Sequence, residues 1–169
     1  EIAHIAKACG YDTLYVDVEH STLELRQTGQ ICIAALHAGI APFVRVPSAA
    51  PEYVSRYLDA GAQGIIVPHI NHRHEAEKVV AAAKFPPAGD RSVSIGLPQL
   101  GFKNYPVAQA RAELNANTTV VCMLEGPEAI ENADEIAAVP GVDILFIGTN
   151  DLCAQMGIER LMVVRLDID

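Results

Sequence analysis

Short apolar runs alternate with longer alanine-rich stretches along most of this 169-residue sequence. Apolar runs of a few residues, rich in Val and Ile, are typical of buried strands, and the longer stretches have the periodicity of helices. The predicted strands are residues 13–18, 42–46, 64–67, 119–124 and 142–147, with a possible sixth at 162–166. The predicted helices between them are residues 23–38, 52–60, 73–84, 107–114 and 128–139. Strands that are apolar on both faces and separated by helices predict an α/β fold with a parallel sheet.

Two architectures fit this pattern: an open doubly wound sheet and a (β/α)8 TIM barrel. The first strand is followed by neither GxGxxG nor GxxxxGK[ST], which disfavours a nucleotide-binding sheet. Polar residues instead follow the carboxyl ends of successive strands, where barrel active sites are assembled. They are Asp17, Glu19, His20, Arg45, His69, Glu125, Asn150 and Asp151. The barrel is therefore favoured.

The length of the chain limits how much of a barrel it can contain. A complete barrel needs about 250 residues, whereas this sequence has 169. Five or six βα units are visible, so residues 1–169 are expected to form a single, partial TIM-barrel domain.

The charge balance excludes several classes of partner. The chain has 12 Lys+Arg against 21 Asp+Glu, a net charge of −9, and nucleic acid needs a basic surface. No apolar run reaches the roughly 18 residues of a membrane span, and no signal peptide is visible. The four cysteines are far apart and form no CxxC pair, as in a protein with reduced thiols. We therefore expect a cytoplasmic protein that contacts neither nucleic acid nor membrane.

Two carboxylates are candidate metal ligands. Glu125 ends the fourth strand and Asp151 follows the fifth, so both are expected at one rim of the sheet. Carboxylates presented in this way suit Mg²⁺ or Mn²⁺. The alternative is that Glu125 and Asn150 or Asp151 cap the helices that follow them.

Other polar residues have a chemical and a structural interpretation. Arg45 lies in an apolar strand and needs an anion, which a substrate carboxylate or a structural Asp would supply. His20 suits a general base, or it simply helps to start the next helix. Asp59 ends a predicted helix, where the helix dipole disfavours an acid. His69 is a candidate for lining the site, and residues 89–92 are either a substrate lid or a surface turn.

Six segments together resemble the HpcH/HpaI aldolase family from about Gly10 to Gly157. They are DVEHS, FVRVP, LDAGAQGIIVPHI, AAKFPPAGDRS, MLEGPEAIENADEIAAVPGVDILFIGTNDL and the trailing MG. Members are class II, metal-dependent pyruvate aldolases, including hydroxy-oxo-heptanedioate and 2-dehydro-3-deoxyglucarate aldolases. The resemblance implies a (β/α)8 barrel, a divalent metal (Mg²⁺ or Mn²⁺, with Co²⁺ or Zn²⁺ as further candidates) and a homo-oligomer. In the family this is usually a hexamer of dimers that exchange a terminal helix.

The resemblance also assigns roles to residues. Glu125 and Asp151 match the metal-binding carboxylates, and Arg45 matches the arginine that holds the pyruvate carboxylate and oxo group. His20 matches the proposed base, which works with Asp59 through a dyad or water. A nearby supporting acid corresponds to Asp17.

The match in the substrate pocket includes departures. Backbone amides around Gly148 and Thr149 would meet the pyruvate carboxylate. The usual GP-x-DLS is GTNDLC here, so Thr149 and Cys153 change the pocket wall, and Met123 stands where a polar Gln is usual. The tail, residues 159–169, matches nothing in the family.

The resulting hypothesis is reversible retro-aldol cleavage of a 4-hydroxy-2-oxo acid to pyruvate and an aldehyde, through a metal-stabilised pyruvate enolate. This mechanism needs no Schiff-base lysine. The lysines of the chain fall on predicted helices or loops and not at strand ends: Lys7, Lys78, Lys84 and Lys103. Two alternatives remain: a citrate-lyase-like C–C lyase acting on a CoA thioester, and a non-catalytic truncated barrel that binds metal or oxo acid.

Overall fold

The computed structural model describes residues 1–94 and 96–158, which alternate strands and helices as expected. The strands are β1 (Thr13–Asp17), β2 (Ala41–Arg45), β3 (Gly64–Val67), β4 (Thr119–Leu124) and β5 (Ile144–Ile147). The helices are α1 (Ile2–Ala8), α2 (Leu25–Ala38), α3 (Pro51–Asp59), α4 (Arg73–Ala83), α5 (Val107–Asn117), α6 (Pro127–Glu131), α7 (Ala133–Ala137) and α8 (Thr149–Gln155), with a 3₁₀ turn at Pro98–Leu100. None of the helices in these two ranges is long and apolar enough to cross a membrane.

The five strands form one parallel sheet in the order β1-β2-β3-β4-β5. Sequential order with helices between parallel strands is the arrangement of a β/α barrel, and a doubly wound sheet would reverse direction at a switch point. The predicted fold class, an incomplete TIM barrel, is thus confirmed. The possible sixth strand at 162–166 lies outside the described residues.

The sheet separates two apolar layers. Alternate strand residues, among them Val44, Ile65 and Val120, are fully buried against the helices. The intervening positions face the inside of the arc, where Met123 packs in a smaller cluster. Phe146 on the same inner face is 44% exposed. The helices therefore cover the sheet over β1–β4, whereas Ile147 on the helix side of β5 is 49% exposed and the inner side is partly open.

Several helix boundaries differ from the sequence-based prediction. The stretch expected as one helix over 128–139 forms α6 and α7, which are separated at Asn132. Asn132 has φ −93° and ψ 7°, outside the usual helical values, and its side-chain amide donates a hydrogen bond to the carbonyl of Asn71 (2.8 Å). Helices α1 and α8 have no counterpart in the prediction.

The segment after α4 folds back at the amino edge of the sheet. The backbone N–H of Asp90 donates to Ala81 (2.7 Å), and that of Arg91 donates to Lys84 (3.0 Å). Buried Lys84 donates to the carbonyls of Asn115 and Thr118, which close α5. Residues 89–92 therefore pack beneath the sheet in this chain, on the side opposite the carboxyl ends of the strands. The turn interpretation fits better than the lid.

Candidate active site

The carboxyl ends of the strands enclose a cavity of about 370 Å³. Parallel strands place residues that follow them at the same edge, so side chains distant in sequence converge there. The cavity is lined by Tyr15, His20, Arg45, Met123, Glu125, Phe146, Ile147, Gly148, Thr149, Asn150 and Asp151. Most site residues predicted from the sequence thus share one cavity wall.

Arg45 is held by two carboxylates. The β1–β2 register places Asp17 directly beside Arg45. Arg45 Nε donates to Asp17 Oδ1 (2.9 Å) and Nη2 donates to Oδ2 (2.5 Å), while Nη1 lies 3.1 Å from Glu19 Oε2. The hydrogen bonds from Arg45 lower the pKa of Asp17. The structure thus supplies the structural Asp for Arg45, and the guanidinium still faces the cavity.

Glu19 is half-buried behind this pair, with a side chain that is 9% exposed. Burial raises its pKa, because a carboxylate removed from water loses hydration. Within the described residues, its Oε2 accepts no hydrogen bond of good geometry. The sequence places Glu19 among the polar residues that follow the carboxyl ends of the strands, two residues after Asp17, but it indicates no chemical role for this carboxylate.

Glu125 is buried at the end of β4. Its Oε2 accepts the backbone N–H of His69 (2.9 Å) and lies 3.2 Å from His69 Nδ1. Gly148 leaves room for this carboxylate, since a Cβ there would lie 2.5 Å from Glu125 Oε1. The predicted alternative, helix capping, does not describe Glu125: α6 has Gly126 as its N-cap. Asp151 likewise lies inside the first turn of α8 and not at its cap.

The donor set fits a divalent cation. His69, Glu125 and Asp151 can each offer one ligand atom, and these atoms lie within 4.8 Å of one another. Asp17 and Glu19 add further negative charge nearby, against the single guanidinium of Arg45. The negative charges therefore outnumber the positive ones, and a bound cation would neutralise the buried carboxylate of Glu125. The structure therefore brings together the two predicted metal ligands and adds His69, which the sequence indicated only as a lining residue.

His20 lies at the mouth of the cavity with an exposed ring. Its backbone N–H donates to Asp17 Oδ1 (3.3 Å), and its Nε2 lies 3.8 Å from Glu19 Oε2. The backbone of His20 therefore stabilises the turn after β1, and its ring is accessible at the cavity.

Asp59 is not brought to His20 by the fold of this chain. It is the last residue of α3, which runs back toward the amino end of β3. There its Oδ1 accepts a hydrogen bond from Arg91 Nη2 (2.6 Å). His20 follows the carboxyl end of β1, so the two residues lie at opposite edges of the sheet. The dyad expected from the resemblance is absent within the described part of one chain.

Two aromatic residues complete the cavity without having been singled out from the sequence. Tyr15 lies two residues before Asp17, and Phe146 lies two residues before Gly148. Strand side chains alternate between faces, so residues two apart share a face. This period-2 spacing from Asp17 and Gly148 is the sequence signal that could have identified Tyr15 and Phe146 as cavity residues. The Arg45 guanidinium lies 6.0 Å from the Tyr15 ring centre.

The arc of parallel strands, with carboxylates and an arginine at its carboxyl edge, defines an α/β-barrel protein whose cavity contains a candidate metal site. The chain belongs to the HpcH/HpaI aldolase/citrate lyase family, whose profile matches residues 1–163.

Named relatives agree with this assignment. The chain is 43% identical over 160 residues to a 4-hydroxy-4-methyl-2-oxoglutarate aldolase of Hapsidospora irregularis, covering 93% of this chain and 59% of that protein. It is 35% identical over 148 residues to a 5-keto-4-deoxy-D-glucarate aldolase of Shigella boydii, covering 88% of this chain and 57% of that one. The crystal structure of an HpcH/HpaI aldolase from Desulfitobacterium hafniense superimposes with a TM-score of 0.88 at 32% identity, covering 93% and 60% of the two chains. This chain thus spans about three fifths of the length of these relatives.

Proposed function

We propose that this site performs reversible aldol cleavage of a 4-hydroxy-2-oxo acid to pyruvate and an aldehyde. The observation that carries the proposal is the shared cavity: the ligand atoms of Glu125 and Asp151 and the guanidinium of Arg45 face the same 370 Å³ space. A 2-oxo acid has two adjacent oxygen groups that need this combination of charges. The named substrate of one relative, 4-hydroxy-4-methyl-2-oxoglutarate, belongs to this class.

Arg45 would bind the carboxylate and oxo end of the substrate. Asp17 accepts hydrogen bonds from Nε and Nη2, and Glu19 lies beside Nη1. The guanidinium has five N–H groups, so one N–H on each of Nη1 and Nη2 remains for a ligand. Of the two backbone amides expected to meet this carboxylate, that of Gly148 already donates to the carbonyl of Leu124 (3.0 Å), so the proposal keeps that of Thr149. The first turn of a helix leaves N–H groups without partners, and α8 begins at this point.

Glu125 and Asp151 would hold a divalent cation, with Mg²⁺ and Mn²⁺ as first candidates and Co²⁺ or Zn²⁺ as others. When bound, the cation supplies Lewis acidity toward the 2-oxo oxygen of the substrate. Arg45 adds positive charge on the same side, where negative charge develops during cleavage.

His20 is proposed as the base for the C4 hydroxyl. Removing that proton turns the hydroxyl into a carbonyl as the C3–C4 bond breaks. The electron pair of that bond passes to the pyruvate fragment as its enolate, and a proton at C3 then completes pyruvate. The exposed ring of His20 at the cavity mouth is where a C4 substituent would emerge.

The cavity favours this reaction over cleavage of a CoA thioester. CoA carries several phosphates, which need a cluster of basic side chains. Among the residues that line the cavity, Arg45 is the single Lys or Arg, and two carboxylates flank it. A small, doubly oxygenated acid suits this rim better.

The setting of the site is proposed from the resemblance as well: a cytoplasmic homo-oligomer. One observation supports an assembly. Since Asp59 and His20 lie at opposite edges of one chain's sheet, the dyad that the resemblance implies has to form between two chains.

Proton exchange of pyruvate tests the proposal without knowledge of the aldehyde. A site that forms the pyruvate enolate replaces the methyl protons in D₂O, which proton NMR records directly. We expect exchange that requires Mg²⁺ or Mn²⁺ and falls about 10²-fold or more in Glu125→Gln and Asp151→Asn. Glu131→Gln, an exposed change at the end of α6, is the matched control. Exchange that persists with a chelator and in both site variants would contradict the proposal.

A further inference from the structure

His69 adopts a backbone conformation that a histidine rarely takes. Its φ is +57°, in the left-handed region that residues with a Cβ seldom adopt. The conformation directs both the backbone N–H and the ring Nδ1 toward Glu125 Oε2, at 2.9 and 3.2 Å. A strained residue whose two nitrogens converge on a buried carboxylate indicates a function for the ring.

The other ring nitrogen faces a second, half-buried carboxylate. His69 Nε2 lies 3.5 Å from Glu19 Oε1, and the other oxygen of Glu19 lies 3.1 Å from Arg45 Nη1. The imidazole thus lies between Glu125 on its Nδ1 side and Glu19 on its Nε2 side. Glu19 in turn connects the ring to the arginine of the cavity.

We propose that His69 is a third protein ligand of the cation through Nδ1, and that Glu19 is the positioning residue that fixes its tautomer. This inference rests on the proposed function, because it assumes the cation held by Glu125 and Asp151. A neutral imidazole carries one proton. Placing that proton on Nε2, toward Glu19, leaves the Nδ1 lone pair directed at the donor cluster. Metal-binding histidines commonly donate their other N–H to a carboxylate in this way.

The spacing of the donors supports this arrangement. Adjacent ligands on an octahedral cation with bonds of about 2.1 Å lie about 3.0 Å apart, and Nδ1 is 3.2 Å from Glu125 Oε2. The candidate ligand atoms of Asp151 fall within 4.8 Å of the other two. The three donors are therefore close enough to share one ion with little movement.

A nitrogen ligand changes which metals the site prefers. Two carboxylates alone suit Mg²⁺, whereas imidazole favours transition metals. We therefore expect this site to bind Mn²⁺ and Co²⁺ more tightly than Mg²⁺. Removal of His69 should reduce the difference in affinity between these transition metals and Mg²⁺.

The test measures metal binding and not turnover. Mn²⁺ bound to the full-length protein is titrated by calorimetry, and pulsed electron paramagnetic resonance detects ¹⁴N coupled to the bound ion. We expect a ¹⁴N coupling in the wild type, its loss in His69→Asn, and Mn²⁺ affinity lowered about 10- to 100-fold in both His69→Asn and Glu19→Gln. Asn tolerates the left-handed conformation, so this variant limits misfolding. His37→Asn, an exposed change at the end of α2, is the control.

Failure of this inference is distinguishable from failure of the proposed function. Mn²⁺ that binds through Glu125 and Asp151 but shows no ¹⁴N coupling, with affinity unchanged in His69→Asn, would overturn the role of His69 alone. A coupling that persists in His69→Asn would also overturn it. If Glu125→Gln and Asp151→Asn leave Mn²⁺ affinity unchanged, the proposed function itself fails.

Discussion

The guanidinium of Arg45 contacts Asp17 and Glu19 and also lines the cavity. Its planar shape therefore matters as much as its charge. An ammonium cannot keep the paired contact with Asp17 and also present planar donors to a ligand. We expect Arg45→Lys to lower kcat/KM for oxaloacetate decarboxylation, a reaction that also passes through the pyruvate enolate, by about 10²- to 10³-fold. Steady-state kinetics checks this, with Arg56→Lys on the exposed side of α3 as control. Near wild-type kinetics in Arg45→Lys would show that Arg45 does not anchor the substrate.

His20 should separate two reactions that share one intermediate. Aldol cleavage needs the C4 hydroxyl proton removed, whereas decarboxylation releases CO₂ and does not. We expect His20→Ala to slow cleavage of a 4-hydroxy-2-oxo acid by about 10²- to 10⁴-fold while sparing most of the decarboxylation. The two rates are measured on one preparation, with His74→Ala as control. Equal losses in both reactions at unchanged metal content would mean that His20 orders the site instead.

At the residue scale, the sequence indicates which polar residues belong to the candidate site, but not which residues each of them contacts. Glu125 and Arg45 were found because a charge at the end of an apolar strand needs a partner. The position of His69 depends on a left-handed backbone that its sequence context does not reveal. Glu19 and the contact between Asp59 and Arg91 depend on packing between distant segments. Local pattern therefore predicts which residues carry chemistry, and the fold decides how they are paired.

At the scale of elements, the junction of β5 and α8 is the tightest part of the site. A Cβ on Gly148 would lie 2.5 Å from both Cγ and Oε1 of Glu125, which is too close for either to stay in place. We expect Gly148→Ala to displace this carboxylate and to weaken Mn²⁺ binding about 10-fold or more. Calorimetry measures the affinity, and a thermal melt without metal shows whether the fold persists. Wild-type affinity in a folded Gly148→Ala protein would contradict this account of the junction.

The elements themselves were largely predictable, since apolar strands and periodic helices leave strong local signals. All five strands were placed within two residues of their observed bounds. The short helices were harder. Helix α8 contains the proposed cation ligand Asp151 and lacks an apolar stripe, having no buried residue. The break between α6 and α7 falls at Asn132, whose side chain contacts Asn71, 61 positions away, and the local sequence pattern does not indicate this break.

At the scale of the whole molecule, the separation of Asp59 from His20 predicts complementation between chains. If the dyad forms between subunits, mixed oligomers of His20→Ala and Asp59→Asn contain sites in which both native residues meet. We expect activity to return to about a quarter of the wild-type level on random mixing. Co-expression followed by an aldol-cleavage assay checks this.

The matched control mixes His20→Ala with Arg45→Lys. Both residues line the same cavity of one chain, so mixing these variants restores no complete site. Activity that fails to return with the Asp59→Asn partner would show that Asp59 does not serve a neighbouring His20.

The open inner face of the arc has a consequence for synthesis of the chain on the ribosome. Every strand pairs with the next one along the sequence, so the described sheet can assemble progressively as it emerges. Ile144 and Phe146 stay 46% and 44% exposed on its inner side, and within the described residues β1 and β5 each have one neighbouring strand. Unpaired edges beside exposed apolar side chains favour aggregation. While only these five strands have emerged, the nascent chain therefore exposes an apolar inner side and two strand edges through which it can associate with other chains.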